Sequence, residues 1–431
     1  MQDSISIFWF RRDLRLEDNT ALNAALSGDH KVLPIFIFDT DIIEELEEND
    51  PRVSFIHTTL QSIDKELRHY GTALQCFHGN IEDVFKTIIK KYTITNVYFN
   101  KDYEPYALSR DHSIQRMLHS NGIFSHTFKD QVIFEELEIV KEDKSPYTVF
   151  TPYKKKWLYN FDPSNFSPDL ELKTKHFYKS DTPFPSLNSL GFKLSLIKVP
   201  PFNLSVIGDY QKHRDFPSIR GTSCLSTHLR FGTVSIRSIV QKLNLESVFL
   251  SELIWREFFM QILYNFPRIV TSNFKVKYNE IQWRNVQTEF EAWCNGKTGY
   301  PIVDAGMREL NETGLMHNRV RMITAGFLCK HLLIDWRWGE AYFASKLLDY
   351  DLAANNGNWQ WAAGTGCDSA PYFRIFNPTS QQKKFDSEFK YTDKWNPGWE
   401  LPSTVPIVEH TFARKRALET YKKGLSKMLE K

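Results

Sequence analysis

ISIFWFRRDLRLEDNTALNAALSGDHKVLPIFIFD, residues 5–39, decides the fold of the first part of this chain. Its ends, ISIFWF (5–10) and KVLPIFIFD (31–39), are short runs rich in β-branched and aromatic residues, as strands are. A helical pattern opens between them near Asp18. The unit repeats outward. TALQCF (72–77), NVYFNKD (96–102) and IFSHTF (123–128) read as further strands. Helical patterns open near Arg52, Asn80 and Glu104, and Gly71 and Gly122 stand where helices end. Alternation at this spacing predicts a doubly wound, parallel, five-stranded α/β domain of Rossmann-like type over residues 1–130. It holds neither GxGxxG nor GxxxxGK[ST], so a dinucleotide bound in the usual way is not expected there.

Residues 131–200 are irregular and rich in Pro, Ser, Lys and Phe, and read as a connector on the surface. Its YKKKW segment (153–157) reads as a solvated charge run. From residue 201 to 431 strand signals vanish and long amphipathic helices take over, notably 250–266, stopped by Pro267, and 319–335. The second domain is therefore expected to be all-α.

The 54 basic residues balance 52 acidic ones, which excludes a wholly basic nucleic-acid binder and leaves room for a local basic patch. The five cysteines are scattered and form no CxxC pair, so neither a disulfide framework nor a zinc site is expected, and no metal at all. The apolar run 5–10 is too short for a secretory signal, and no stretch is long enough to span a bilayer. A cytoplasmic protein is expected.

The second half carries the chemistry. DYDLAANNGNWQWAAGTGCDSAPYFRIFNPTSQQKKFD (349–386) shows neither a helical nor a strand period, and reads as a wall of small residues set with polar groups and aromatics. Such a wall suits a flat ligand with polar edges. GTSCLSTHLRFG (221–232) places hydroxyls and backbone N–H groups at a helix start, a place for a pyrophosphate or simply a Ser/Thr cap. In SELIWREFF (251–259), Glu252, Trp255 and Phe259 share a helical face with Arg256 beside it. A carboxylate next to an indole can hydrogen-bond a base edge and stack on its plane; a core Trp with a surface Glu–Arg pair is the plainer alternative. In MHNRVRM (316–322), Asn318, Arg321 and Met322 share a face, and Arg321 could pair with Asp349 or Asp351. The residues alone thus describe a binding site for an aromatic ligand.

Through these motifs the chain resembles the DNA photolyase/cryptochrome family, closest to the class I enzymes for cyclobutane pyrimidine dimers. The resemblance covers nearly the whole length: FWFRRDLRLEDN (8–19), the TSCLS segment, WREFF, GKTGYPIVDAGMR (296–308), MHNRVRM, DLAANNGNWQWAAGTG and FRIFNPT (373–379). It implies FAD in the helical domain. Tyr210, Thr222, Ser223, Cys224, Leu225 and Ser226 would line its phosphates. Asn318, Arg321, Asp349, Tyr350 and Asp351 would hold the ring system and adenine end, and Asn355 would donate a hydrogen bond to the flavin N5. Trp283, Trp336 and Trp359 would form the electron-transfer chain that photoreduces FAD.

The implied activity is light-driven repair, in which reduced FAD passes an electron to a dimer flipped out of UV-damaged DNA. Glu252, Met322 and Asn355 would be the catalytic set. Glu252, Trp255, Arg256, Phe259, Asn318, Arg319, Trp361 and Gln381, with Lys383, would meet lesion and DNA, double- or single-stranded. Relatives that repair (6-4) photoproducts carry a His pair where this chain has Asn318 and Met322, neither of which can serve as a general acid. Cys224 and Asn358 depart from the Arg and Gly that many relatives carry. The resemblance also implies an antenna chromophore near Glu104 and the Arg11–Arg15 loop, with 5,10-methenyltetrahydrofolate favoured over a deazaflavin or FMN. A monomer is expected, nucleoid-associated if the source is bacterial. The alternatives are a cryptochrome-type photoreceptor, a (6-4) or single-strand-directed photolyase, and a non-catalytic flavin-bearing nucleic-acid binder. The plain basic amphipathic tail (413–431), in place of a long disordered extension, favours repair over signalling.

Overall fold

A computed structural model describes residues 4–166, 171–401 and 405–427. Residues 167–170 of the expected connector, Pro402 of the WNPGWELP run and the last four residues of the tail lie outside them. The chain forms two compact units, one of Met1–Glu138, Trp157–Pro201 and Leu225–Leu250, the other of Ile139–Lys156, Phe202–Cys224 and Ser251–Lys431.

The first unit is built on a parallel sheet of β1 (Ile5–Phe10), β2 (Lys31–Asp39), β3 (Gln75–Gly79), β4 (Ile94–Asn100) and β5 (Phe124–Phe128), in the order β3-β2-β1-β4-β5. β1 is central, with Ile5 opposite Lys31 on β2. Alternation along it feeds two cores: Phe8 and Phe10 pack with Leu22 and Phe36, while Ile7 and Trp9 pack with Ile35, Phe85 and Phe99. The intervening helices, α1 (Thr20–Leu26), α2 (Pro51–His69), α3 (Ile81–Lys91) and α4 (Pro105–Ser120), begin close to the expected points. Asn19, Asp50 and Asn80 cap the first three by accepting backbone N–H bonds. Gly71 and Gly122 follow α2 and α4 with φ of 76° and 70°, the left-handed turn that favours glycine.

The stretch read as a surface connector is more ordered than expected. It contains α5 (Phe150–Asn160), on which Phe150, Tyr153 and Trp157 are buried. Their spacing makes one helical face, and the lysines of YKKKW occupy the rest of the turn.

The second unit is helical: α7 (Val248–Asn265), α8 (Gln287–Cys294), α9 (Pro301–Thr313), α10 (Asn318–Gly326), α11 (Trp336–Lys346), α12 (Leu352–Ala363), α13 (Pro378–Phe385) and α14 (His410–Lys427), with α6 (Leu225–Phe231) preceding them in the first unit. The helix expected over 319–335 ends at Gly326, runs on as a π-helical turn (Phe327–Leu332) and stops at Leu333 with φ 50°. Every residue of that turn is buried, so no polar face marked the break. The run 349–386 likewise contains two helices, α12 and α13. Its periodicity is missing because α12 buries polar residues among apolar ones: Asn356 and Gln360 donate to the Ile269 carbonyl at 3.1 and 3.2 Å, and Gln360 accepts from Phe274 N at 2.8 Å.

Candidate active site

The site grows from α7, whose VFLSELIWREFFMQILYN contains no Gly or Pro to interrupt it. Glu252 pairs with Arg214 at 2.6 Å, and the Arg214 guanidinium lies 5.4 Å from the centre of the Tyr210 ring. Burial, reinforced by the Glu252 charge, pushes the Tyr210 phenol up to about 12. A residue expected at the cofactor and one expected at the lesion thus meet through Arg214, which lies in none of the motifs. One face of Trp255 is covered by Phe150, stacked at 3.6 Å and 8°. Arg256 is half-buried. Phe259, expected at the lesion, is instead buried, and its ring presses on Gly357, where an added Cβ would come within 2.2 Å. Its ring lies 5.4 Å from that of Trp255, so it forms part of the wall behind that indole.

α10 supplies the next side. His317 caps it by accepting from Arg319 N, and burial with the Arg321 charge pulls its imidazole down to about 4, so it is neutral at pH 7. Asn318 is exposed and Met322 half-buried. Arg319 pairs with Asp215 at 2.7 Å, lies 4.3 Å from the Phe385 ring centre and approaches the Met322 sulfur at 3.7 Å. Arg321 pairs with Asp349 at 3.0 Å and donates through Nε to the Met316 carbonyl at 2.7 Å. Burial, with the Asp349 charge, raises the Cys224 thiol. Thr222 is exposed and Ser223 buried, while Leu225 and Ser226 open α6 of the first unit.

α12 forms the wall. Asp351 caps it through Ala354 N at 3.2 Å, after half-buried Tyr350. Asn355 Nδ2 donates to both the backbone and a carboxyl oxygen of Glu340, each at 3.1 Å. Glu340 had no sequence signal, since its importance comes only from packing of α11 on α12. Trp359 has Trp293 and Phe343 as ring neighbours, at 6.1 and 4.9 Å, and its six-membered ring rests on Gly339. Trp336, Trp359 and Trp293 share one buried cluster, with Trp283 packed at its edge. A backbone bond from Arg284 N to Leu333 O (2.7 Å) and a bond from Asp335 N to the side-chain oxygen of Asn285 (2.8 Å) fasten the Trp283 segment to the lead-in of Trp336. Trp361 and Gln381 are half-buried and Lys383 is exposed.

In the first unit Glu104 accepts from Arg12 at 2.9 Å and from Arg230 at 2.6 Å, at the carboxyl end of β4. Arg11 lies over the Trp9 and Phe99 rings, at 4.9 and 4.7 Å. β4 and β1 are where the strand order reverses, the usual ligand crevice of an open α/β sheet. Among the described residues, no group of three or more His, Cys, Asp or Glu could hold a metal ion. No helix among them is long and apolar enough to cross a membrane.

The models of two families match, DNA photolyase over residues 6–172 and the FAD binding domain of DNA photolyase over residues 249–405. A deoxyribodipyrimidine photo-lyase of Vibrio cholerae is 36% identical, over 96% of this chain and 99% of its own. The chain belongs to the DNA photolyase family. Among solved structures, a class III photolyase from Agrobacterium tumefaciens superposes with a TM-score of 0.87 at 32% identity, covering 98% of each chain. An archaeal photolyase from Sulfolobus tokodaii, solved with two FAD molecules, gives 0.84 at 36% identity, over 97% of this chain and 99% of that one.

The donor set of the second unit fits a photolyase flavin. The Arg321–Asp349 pair supplies charge, and Tyr210, Thr222 and Ser223 supply hydroxyls. Asn355 corrects the expectation in one respect. Both of its amide N–H groups are taken by Glu340, so it offers its carbonyl oxygen, an acceptor, where a donor to N5 had been expected.

Proposed function

We propose that this photolyase splits cyclobutane pyrimidine dimers in light, with FAD held by the second unit. When bound and reduced, the flavin supplies the electron that cleaves the cyclobutane ring. The observation that carries this reading is the connected group of Glu252, Arg214 and Tyr210, which Asp215, next to Arg214, ties to Arg319 of α10 at 2.7 Å; that helix also carries Asn318 and Met322, which bring no proton donor. Dimer splitting needs no net proton transfer, and this pocket is built to that requirement.

The chain's own groups do the rest. Glu252, oriented by Arg214, accepts N–H bonds from the pyrimidine edge; half-buried Trp255, backed by Phe150 and flanked by Phe259, offers the exposed part of its ring for stacking, worth roughly 1–3 kcal/mol per base. Arg256, Arg319, Trp361, Gln381 and Lys383 border the DNA. Arg321, Asp349, Asp351, Tyr210, Thr222 and Ser223 bind the cofactor, and Asn355 accepts from a ligand N–H. Trp359, Trp336 and Trp283 relay electrons to it. The crevice at Glu104 takes an antenna chromophore: Tyr106, exposed and bonded to Asp39 at 2.6 Å beside Arg110, offers an open ring at its rim. The absorption spectrum of the purified protein distinguishes a folate from a deazaflavin or flavin. The activity is tested by illuminating reduced protein with an oligonucleotide containing one thymine dimer. Restored thymines support the reading; an unchanged dimer after blue light sinks it.

A further inference from the structure

Trp336 is fully buried, and its indole Nε1 donates to the side-chain oxygen of Asn273 at 2.8 Å. Asn273 is itself buried. Its amide is pinned the other way round: Nδ2 donates to Asn279 Oδ1 at 2.8 Å, and the same oxygen accepts from Asn273 N at 3.3 Å. Flipping the amide would set an NH2 group against the indole N–H and leave Asn279 facing a second oxygen. The Arg337 guanidinium lies 4.8 Å from the centre of the Trp336 ring, but Asp335 pairs with it at 2.9 Å, so much of its field is compensated. The Asn273 carbonyl dipole is then the group that acts on the indole with least opposition. The neighbouring indoles differ. Trp293 donates to the Thr324 backbone oxygen at 3.1 Å, and among the described residues no protein group accepts from Trp359 Nε1.

We infer that Asn273 is a positioning residue for electron transfer, one that lets Trp336 carry positive charge while giving its proton nowhere to go. This rests on the reading of Trp359, Trp336 and Trp283 as the electron relay. With the photoexcited oxidised flavin as electron acceptor, Trp359 loses one electron and regains it from Trp336, which is left as a radical cation. An indole that has lost an electron is a much stronger N–H acid than the neutral ring. The Asn273 oxygen accepts that hydrogen bond, and a bond to a charged group is stronger than the neutral one it replaces. An amide cannot take the proton itself, and the buried ring meets no solvent that could. The cation therefore keeps its proton, and one electron from Trp283 restores neutral Trp336 without reprotonation. Trp283 is half-buried at the edge of the cluster, where its proton can pass to water.

The test uses holoprotein with oxidised flavin and transient absorption, which separates protonated from deprotonated Trp radicals. In Asn273→Leu, loss of a charge-assisted hydrogen bond shifts the Trp359–Trp336 hole equilibrium back toward Trp359 by roughly ten- to a hundredfold. The yield of the Trp283 radical falls with it. In Asn273→Asp, a carboxylate replaces the amide, and a deprotonated Trp336 radical accumulates and blocks onward transfer. A readout without light accompanies these. In wild-type protein the Trp336 indole N–H resonance is protected from exchange with deuterium, and Asn273→Leu removes that protection. Wild-type radical yields in both variants, or rapid exchange of that proton in the wild type, would overturn the inference. Trp336→Phe serves as control. If it leaves photoreduction intact, the relay reading itself fails; if it blocks photoreduction while both Asn273 variants behave as wild type, only the role of Asn273 fails.

Discussion

Gly339→Ala probes how α11 and α12 position Trp359. A Cβ at residue 339 would lie 2.1 and 2.5 Å from two atoms of the Trp359 six-membered ring and 2.5 Å from Leu328 Cδ2. Van der Waals contact begins near 3.4 Å, so the ring or helix α11 must move by about 1 Å. The indole cannot withdraw freely, because Trp293 and Phe343 hold its other sides. Overpacking of this kind costs about 1–3 kcal/mol, and three close contacts favour the upper end. Replacing a helical Gly by Ala returns about 1 kcal/mol of helix propensity. The net loss is then about 2 kcal/mol. A phenylalanine at 359 lacks the two clashing atoms and leaves only the flexible end of Leu328. In the Trp359→Phe background the same change should be neutral or mildly stabilising, which gives a coupling of about 2 kcal/mol between the two positions. Urea titrations of the four proteins, followed by circular dichroism, measure it, with an unchanged slope as the check that only stability moved. In the holoprotein the displaced indole should also slow flavin photoreduction. The reasoning is refuted if Gly339→Ala is as stable as wild type, or loses equal stability in both backgrounds.

Glu252→Ala should slow dimer repair far more than it weakens binding to undamaged DNA; equal losses in repair assays and gel shifts would remove its catalytic role. Trp283→Phe should block photoreduction of oxidised FAD and leave chemically reduced protein active, and normal photoreduction in the variant would take Trp283 out of the relay. Trp293→Phe, by contrast, should leave photoreduction near wild type, because the relay continues through Trp336; loss of photoreduction there would redirect the path through the Trp293 side. Lys330 is buried, donates to the Ala363 carbonyl at 2.7 Å, and is pulled by burial down to about 7 from its ordinary 10.5. Between those values the unfolded chain binds a proton that the folded one does not, so stability should rise with pH across the window and stay flat below it. Lys330→Met should remove the rise, read as urea midpoints from about pH 7 to about pH 10, and an unaltered profile would show that Lys330 does not cause it.

The structure also separates what the residues announced from what packing added. The α/β unit was legible because its strands and helices are punctuated locally, by Asn19, Asp50 and Asn80 as caps and by glycines at positive φ. The helical unit was less so. α12 has no readable face because Asn355, Asn356 and Gln360 are buried beside Trp359 and satisfied by partners elsewhere in the chain. α5 was masked by the three lysines between its buried aromatic residues. Arg214, Glu340, Phe150 and Asn273 carried no signal of their own. Each matters through a contact with a residue far away in sequence: Glu252, Asn355, Trp255 and Trp336 in turn.

By itself the sequence determined the strand–helix alternation of the first unit, the helical character of the second and the residue types needed for an aromatic, polar-edged ligand. Those properties reside in local propensity, capping and composition, which act over a few residues. Tertiary structure alone decided that Glu252 is held by Arg214, that Phe259 is wall and not surface, and that Asn355 presents an acceptor. It also decided that Trp336 is sealed against an amide. In each case the chemistry of a side chain is set by which of its hydrogen-bonding groups are already taken and how much water reaches it. Both depend on neighbours brought in by packing.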